Sequence, residues 1–270
     1  MGNVADPRLP EALRRVAKDW LAAIDPAELL RANGLRPDDW QLRLLRSSSK
    51  RLLVVAPRQS GKSSGTAGVA LATALFRPGS LTVVLAPSER QSSELLRKVK
   101  RLLRPFSERW RLTTEAAREL AWSSGSRVVC LPGSPDTVRT FSPDLVIVDE
   151  ASYTKDELFA AVRPMVSVTD GRIVALSSAG ARRGWFFEAW ESGTWETIHA
   201  TSRDNPRISP EELEDQRRTL GPVRFAREHL SEFVDNVEDT ERNPFIFGAM
   251  KDLLDEAFAD AIVPLEEGRP

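Results

Sequence analysis

Arg51-Leu52-Leu53-Val54-Val55-Ala56-Pro57-Arg58-Gln59-Ser60-Gly61-Lys62-Ser63-Ser64 runs from a short apolar stretch into a glycine-lysine-serine turn, and the alanine-rich segment Thr66 to Leu75 continues from it. The spacing predicts a strand over Leu52 to Ala56, a loop, and then a helix. That is the context of a phosphate-binding loop, in which backbone N–H groups converge on an anion at a helix N-terminus. Lys62 can reach terminal phosphates as a point charge, and the Ser63 hydroxyl can ligate Mg²⁺. Arg58, Gln59, Ser60, Gly61, Lys62, Ser63 and Ser64 are therefore the candidate nucleotide-binding residues, with ATP and Mg²⁺ as the implied cofactors. The loop departs from the usual pattern in one respect: Ala56 stands where the first glycine is expected.

A second element fits the first. In Asp144-Leu145-Val146-Ile147-Val148-Asp149-Glu150 an unbroken apolar run, mostly β-branched, ends in two carboxylates, as expected of a buried central strand. Carboxylates at the C-terminal end of such a strand in an open α/β sheet lie where ligands bind. Asp149 is the candidate Mg²⁺ partner, and Glu150 the residue that orients or deprotonates the attacking water. A solvated strand end is the bland alternative.

Taken together, Ala-Pro-Arg-Gln-Ser-Gly-Lys-Ser (residues 56–63), Val-Arg-Thr-Phe-Ser-Pro-Asp-Leu-Val-Ile-Val-Asp-Glu-Ala (residues 138–151) and Leu176-Ser177-Ser178-Ala179-Gly180 resemble the ATPase domain of tailed-bacteriophage large terminases, the motors that package viral DNA. The resemblance extends from about Pro37 to Phe233. It implies a P-loop NTPase of the ASCE type, an α/β fold with a mainly parallel sheet covered by helices on both faces and a small C-terminal helical lid subdomain. In that family the missing first glycine and the Arg-Gln pair within the loop are typical. Ser177, Ser178 and Ala179 resemble its coupling motif, which links hydrolysis to domain movement; read without the family, they are a strand end and a turn.

The resemblance carries over further positions. Trp40-Gln41 is similar to an upstream glutamine motif that contacts adenine, and a side-chain amide can both accept from and donate to the adenine edge. Arg139 aligns with an arginine inserted into a neighbouring subunit's site, with Arg58 as the competing candidate for a finger acting in cis. The same resemblance implies double-stranded DNA as substrate, self-association into a ring, a portal protein and a small terminase subunit as partners, and the cytoplasm of an infected bacterium as the setting.

Across the 270 residues, 38 basic and 39 acidic side chains nearly cancel to a net charge of −1, so bulk charge neither demands nor excludes nucleic acid. A local patch does argue: Arg97, Lys98, Lys100, Arg101 and Arg104 fall on a helix predicted to start at a Ser88 to Gln91 capping box. Its apolar stripe is Leu95, Leu96, Val99, Leu102 and Leu103, and its basic face either contacts DNA phosphates or is simply solvated. The single cysteine, Cys130, rules out an internal disulfide, and His199 and His229 lack metal-ligand spacing. No apolar run is long enough to cross a membrane, and no signal-peptide pattern is present, so a soluble protein is expected.

Apolar runs at Leu52 to Ala56, Leu81 to Ala86, Arg127 to Leu131, Leu145 to Val148 and Ile173 to Leu176 alternate with helical or hairpin-like stretches, which indicates a mainly parallel sheet. The expected organisation is an N-terminal helical segment (1–36), the ATPase core (37–180), the lid (181–235) and a linker (236–270) toward a nuclease domain that is missing. Pro10 to Ile24 places Leu13, Val16, Ala17, Trp20 and Ile24 on one helical side, to pack on the core or to bind a partner. Trp185 to Trp190 reads as a helix with an aromatic face and Thr194 to Ala200 as a last strand. A helix opened at Ser209 is closed by Gly221-Pro222, and another runs from Arg224 to Phe233. An ATPase fragment without nuclease activity is the expectation. A helicase-like translocase of superfamily 2 and a nucleotide-dependent assembly module without turnover are the alternatives.

Overall fold

The computed structural model describes residues 10–86, 88–106, 108–132, 138 and 140–235. The expected strands form as β1 (Arg51–Val55), β2 (Leu81–Ala86), β5 (Arg127–Pro132), β6 (Leu145–Asp149), β7 (Arg172–Ser177) and β8 (Glu196–His199). The hairpin-like stretch before β5 supplies β3 (Leu112–Glu115) and β4 (Glu119–Trp122). One eight-stranded sheet results, in the order β3-β4-β5-β2-β6-β7-β1-β8. From β5 to β8 every neighbouring pair is parallel, and only the β3–β4–β5 edge is antiparallel.

The unbroken apolar runs are explained by burial on both faces. Successive side chains of a strand point to opposite sides. Leu52, Val54, Val84, Ile147, Val174 and Leu176 join one core, whereas Leu53, Val55, Val83, Val146, Val148 and Ala175 join the other. Cys130 lies in the first core, fully buried. That core is closed by α2 (Ala27–Arg31), α3 (Asp39–Arg46), α4 (Lys62–Phe76) and α5 (Glu89–Leu103). The second is closed by α6 (Asp156–Thr169) and α7 (Trp185–Glu191). The fold expected from the sequence is therefore the one observed. Helix α4 approaches its neighbours closely because it is glycine-bearing: a Cβ at Gly68 would lie 2.7 Å from Leu45 and 2.8 Å from Leu30.

In helix α1 (Glu11–Ile24) the expected apolar stripe forms but faces outward. Ala22 and Asp19 turn inward, while Trp20 is 65% and Ile24 76% exposed, so among the described residues the stripe does not pack on the core. The rotation follows from the polar partners on the inner side: Asp19 faces Arg109 (3.6 Å), and the Lys18 ammonium lies 5.0 Å from the Phe106 ring centre.

In the last third, α7 carries the expected aromatic face, with Trp185 stacked on Phe159 at 4.0 Å. Helix α8 (Pro210–His229) is capped by Ser209, whose hydroxyl accepts from Glu212 N at 3.1 Å. It bends at Gly221 (φ 72°, ψ 165°), where the sequence places a stop. The segment beyond the bend ends earlier than the expected Phe233, because Ser231 takes a positive φ of 58° and breaks the helix. Phe233 instead packs against Phe187 and Trp190, with ring centres 5.2 and 5.8 Å away. Phe225, Ala226 and Leu230 form a small core of their own, separate from both faces of the sheet. The stretch 236–270, expected as a linker, lies outside the described residues.

Candidate functional site

The loop between β1 and α4 takes its shape from two left-handed residues, Gln59 (φ 58°) and Gly61 (φ 90°). Glycine suits position 61 because of its backbone, and any larger residue would also displace the end of the Gln41 side chain. Positive φ strains a residue that carries a Cβ, and a Cβ built there would lie 2.5 Å from the Gln41 Nε2. Lys62 opens α4, and its ammonium folds under the loop to donate to the carbonyl oxygens of Ala56 (2.9 Å) and Pro57 (2.8 Å). It is only 7% exposed. Burial lowers its pKa, while Glu150 and Asp149 act in the opposite direction. A buried cation held by neutral carbonyls alone is a poorly matched group in want of an anion, which fits a phosphate ligand. Ser60 closes the turn by donating its hydroxyl to the Pro57 carbonyl at 2.7 Å.

Gln41 sits directly behind this loop. Its Oε1 accepts from Asp38 N at 2.9 Å, completing a capping box at the start of α3, and its Nε2 donates to the carbonyls of Gly61 (3.2 Å) and Ser60 (3.4 Å). Both ends of the amide are thus committed to backbone, so the structure places Gln41 as a brace for the loop. Asp38, itself buried, is clasped in a bidentate pair by Arg207 from the stretch after β8 (2.6 and 3.1 Å). Asp38, Gln41, Gln59, Gly61, Ser64 and Arg207 border a cleft of about 890 Å³, large enough for a base and sugar beside the phosphate loop.

The carboxylates arrive from the neighbouring strands. In the β1–β7–β6 ladder Val55 pairs with Ser177 and Asp149 with Leu176, so the loop, the Asp-Glu pair and the Ser177-Ser178 segment all leave the same edge of the sheet. Asp149 is 8% exposed, and burial first, then the neighbouring Glu150 charge, push its pKa up to about 6. The backbone N–H of Glu150 donates to its Oδ1 at 3.1 Å and opposes that rise. Glu150 adopts φ 52°, ψ 45°, a left-handed conformation costing on the order of 1 kcal/mol in a non-glycine residue. This turn directs its side chain back over the sheet edge, where the Ser177 hydroxyl donates to its Oε2 at 3.3 Å. Ser177 in turn contacts the Ser152 hydroxyl (2.7 Å), which donates to the Ser178 carbonyl (3.0 Å), and Ala179 is buried beside them. The segment singled out as a coupling motif is thus hydrogen-bonded to the candidate base.

Arg58, Lys62, Ser63 and Glu150 converge on a second cavity of about 570 Å³. Ser63 borders this cavity with a hydroxyl of the kind that ligates Mg²⁺, whereas Asp149, the expected Mg²⁺ carboxylate, is not among the residues that border it. No group of three or more His, Cys, Asp or Glu arranged for a metal occurs among the described residues. Tyr153 and Glu228 of α8 hold the Arg58 side chain, the latter at 3.3 Å from its Nε. The Tyr153 hydroxyl, then the Glu228 charge, push the Arg58 pKa up.

The basic face of α5 is divided. Lys98 and Gln91 border the phosphate cavity, and Lys98 acts on the Asp149 charge. Lys100 pairs with Glu115 and Arg97 with Glu94 (3.1 Å), whereas the helix ends at Arg101, Leu102 and Leu103 before the short turn that begins at Arg104. Arg139 lies outside the described residues. Sequence reasoning missed Asp38, Tyr153, Arg207 and Glu228. For Asp38 a signal existed, since Asp-x-x-Gln before an amphipathic helix is a capping-box spacing. Arg207 meets Asp38, and Glu228 meets the loop at Arg58, only because the last third folds back, and no local pattern announces that.

A sequence profile of the family described as terminase large subunit, T4likevirus-type, N-terminal matches residues 53–245. The terminase large subunit of Thermus virus P23-45 is 28% identical over 243 residues, which cover 74% of this chain and 49% of that protein. The terminase large subunit of Escherichia phage T5 is 24% identical over 169 residues, 59% of this chain and 38% of that protein. The chain thus spans about half the length, or less, of these curated relatives. Among solved structures, the Thermus phage P74-26 large terminase ATPase domain superposes with a TM-score of 0.65 at 25% identity, covering 76% of this chain and 97% of that one. The large terminase of the thermophilic bacteriophage D6E, in complex with ADP, superposes with a TM-score of 0.59 at 14% identity over 73% of this chain and 54% of that one, a likeness of fold.

Proposed function

The chain belongs to the terminase large-subunit family, and we propose that it is the part of such a subunit that hydrolyses ATP to drive double-stranded viral DNA into a procapsid. The observation that carries this reading is the phosphate cavity itself, where Lys62 and Ser63 of the loop face Glu150 from the end of β6. An ATPase-domain structure at 25% identity over most of the chain and the ADP complex of the D6E protein support it.

In this mechanism Lys62 exchanges its two carbonyl partners for β- and γ-phosphate oxygens, and the N–H groups of the loop hold the rest of the polyphosphate. Ser63 and Asp149 would hold Mg²⁺, which when bound would supply positive charge to offset that of the phosphates. Glu150 orients the attacking water and accepts its proton, and its bond to Ser177 passes the change in charge to the segment after β7. Arg58, which borders the cavity, is the competing candidate for a finger acting in cis. In a ring of subunits Arg139 enters the neighbouring site and supplies the finger, a contribution of roughly 10³–10⁵ in rate. The lid formed by 181–235 moves with nucleotide state, and the portal protein and small terminase subunit are the partners that position the ring in the host cytoplasm.

Steady-state ATP hydrolysis with Mg²⁺, measured against protein concentration, tests the proposal. Specific activity that rises with concentration is expected of a site completed between subunits by Arg139. Flat, nonzero activity would transfer the finger to Arg58. Glu150→Ala should still bind ATP while turnover falls by orders of magnitude. Absence of turnover at every concentration, with and without DNA, would refute the ATPase reading and leave a nucleotide-dependent assembly module.

A further inference from the structure

Two features away from the phosphate site meet at Ile24. Along α1, Leu13, Val16, Trp20 and Ile24 form an exposed apolar stripe, and contiguous apolar surface of this kind marks a contact. Ile24, at the end of the stripe, also borders a cavity of about 420 Å³ at the edge of the sheet where β6 and β7 begin, opposite the phosphate loop. Phe76 and the three arginines Arg46, Arg77 and Arg172 line the same cavity. Arg46 is paired with Asp25 (2.7 Å) and Arg77 with Asp144 (3.1 Å). The Arg172 Nε donates to the Ser49 carbonyl at 2.7 Å, but its Nη2 is buried without a hydrogen-bond partner among the described residues. A buried guanidinium nitrogen in that position lacks an acceptor, so the cavity suits a carboxylate flanked by apolar side chains.

The chain itself contains a stretch of that chemistry, beyond the described residues. Met250, Leu253, Leu254, Ala257, Phe258 and Ala261 recur at the spacing of one helical face, and Asp252, Asp255, Glu256 and Asp260 fall on the other side. Residues 236–270 hold nine acidic and three basic side chains, a net charge of −6, against +5 for the remainder. The tether from Asp235 to Met250 can span about 50 Å, comparable with the diameter of a domain of this size. We propose that residues 250–261 are the occupant of this face: their apolar side covers the α1 stripe, and a carboxylate enters the cavity to pair with Arg77 and supply the acceptor that Arg172 lacks. The tether holds the segment at a local concentration of about a millimolar, so a contact too weak to retain a free peptide retains this one.

Hydrogen exchange read by mass spectrometry on the full chain tests this, with the wild type compared with Leu254→Glu/Phe258→Glu. In that variant the amides of residues 16–24 should exchange about tenfold faster, while those of β1 and β6 keep their rates and report an intact core. Arg77→Glu should have the same effect on residues 16–24 in the wild type and none in the double variant. A cysteine pair identifies the occupant: Ile24→Cys with Phe258→Cys, oxidised at several protein concentrations, should close within one chain at a yield independent of concentration. Unchanged exchange in residues 16–24, or failure of the pair to close, would overturn the proposal. A cross-link between chains that grows with concentration would give the face to a second copy and overturn it equally.

Discussion

Replacing Gln41 by alanine separates two roles for this residue. As a brace, Gln41 contributes three contacts: the Asp38 N–H donates to its Oε1 at 2.9 Å, and its Nε2 donates to Gly61 O at 3.2 Å and Ser60 O at 3.4 Å. Truncation leaves the buried Asp38 N–H unpaired, at about 1–3 kcal/mol. The Gly61 carbonyl keeps other partners, since it also accepts from Ser64 N (3.0 Å) and Gly65 N (3.2 Å), so losing Nε2 there costs about 0.5–1 kcal/mol. The sum is a loss of about 1.5–4 kcal/mol. Urea unfolding of the nucleotide-free chain measures it, and parallel titrations with ATPγS and GTPγS measure what happens to the site. Affinity for both nucleotides should fall together, because the loop that holds phosphate has lost its support. Gln41→Glu is the companion variant: its carboxylate still accepts from Asp38 N but turns an oxygen toward two carbonyls, so the loop should be loosened while the cap survives. A stability loss well under about 1 kcal/mol together with a selective loss of ATP over GTP would refute the brace and restore the adenine reader.

Two other substitutions test the charges around the cavity. The Asp149 pKa is raised in the folded chain from 3.8 to about 6, so the folded state binds protons more tightly than the unfolded one, and stability falls as pH rises through that window. Asp149→Asn should therefore stabilise the nucleotide-free chain at pH 7 by on the order of 2–3 kcal/mol and flatten its pH dependence between about 4 and 6; an asparagine variant no more stable than wild type at pH 7 would contradict this. Lys98→Ala should weaken Mg²⁺–ATP binding severalfold and leave retention on DNA unchanged, because Lys98 borders the phosphate cavity. Gel-shift and nucleotide titrations on the same preparation decide it, and the reverse pattern would return Lys98 to a DNA face.

Most of the sheet was legible because its signal is local. Five runs of apolar residues, each buried on both faces, mark β1, β2, β5, β6 and β7 almost to the residue. The antiparallel edge was harder to read, since β3 is mostly exposed and its Leu-Thr-Thr-Glu has no apolar alternation. The orientation of α1 was not legible either. Its apolar stripe is plain in the sequence, but the rotation is set by Arg109 and Phe106, far along the chain. The same distinction holds for the site. Lys62, Ser63, Asp149 and Glu150 follow from motif spacing, and the Ser177–Glu150 contact follows once β6 and β7 are neighbours. The clasp of Arg207 on Asp38 and the reach of Glu228 to Arg58 join residues 169 and 170 positions apart, and only the completed fold brings them together.

The burial of Cys130 on β5 also has a practical consequence. Desolvation, with the Asp149 charge added, pushes its thiol pKa up to about 12, so at neutral pH almost no thiolate exists to react and the sulfur is sealed in the core. Maleimide reagents should pass the native chain by. A cysteine introduced on the exposed start of α8, for instance Glu211→Cys, becomes a unique attachment point without any need to remove the natural one. A second, on α3 or the β3 edge, makes a donor–acceptor pair, and the separation of α8 from the sheet can then be compared with and without nucleotide in an otherwise unaltered protein.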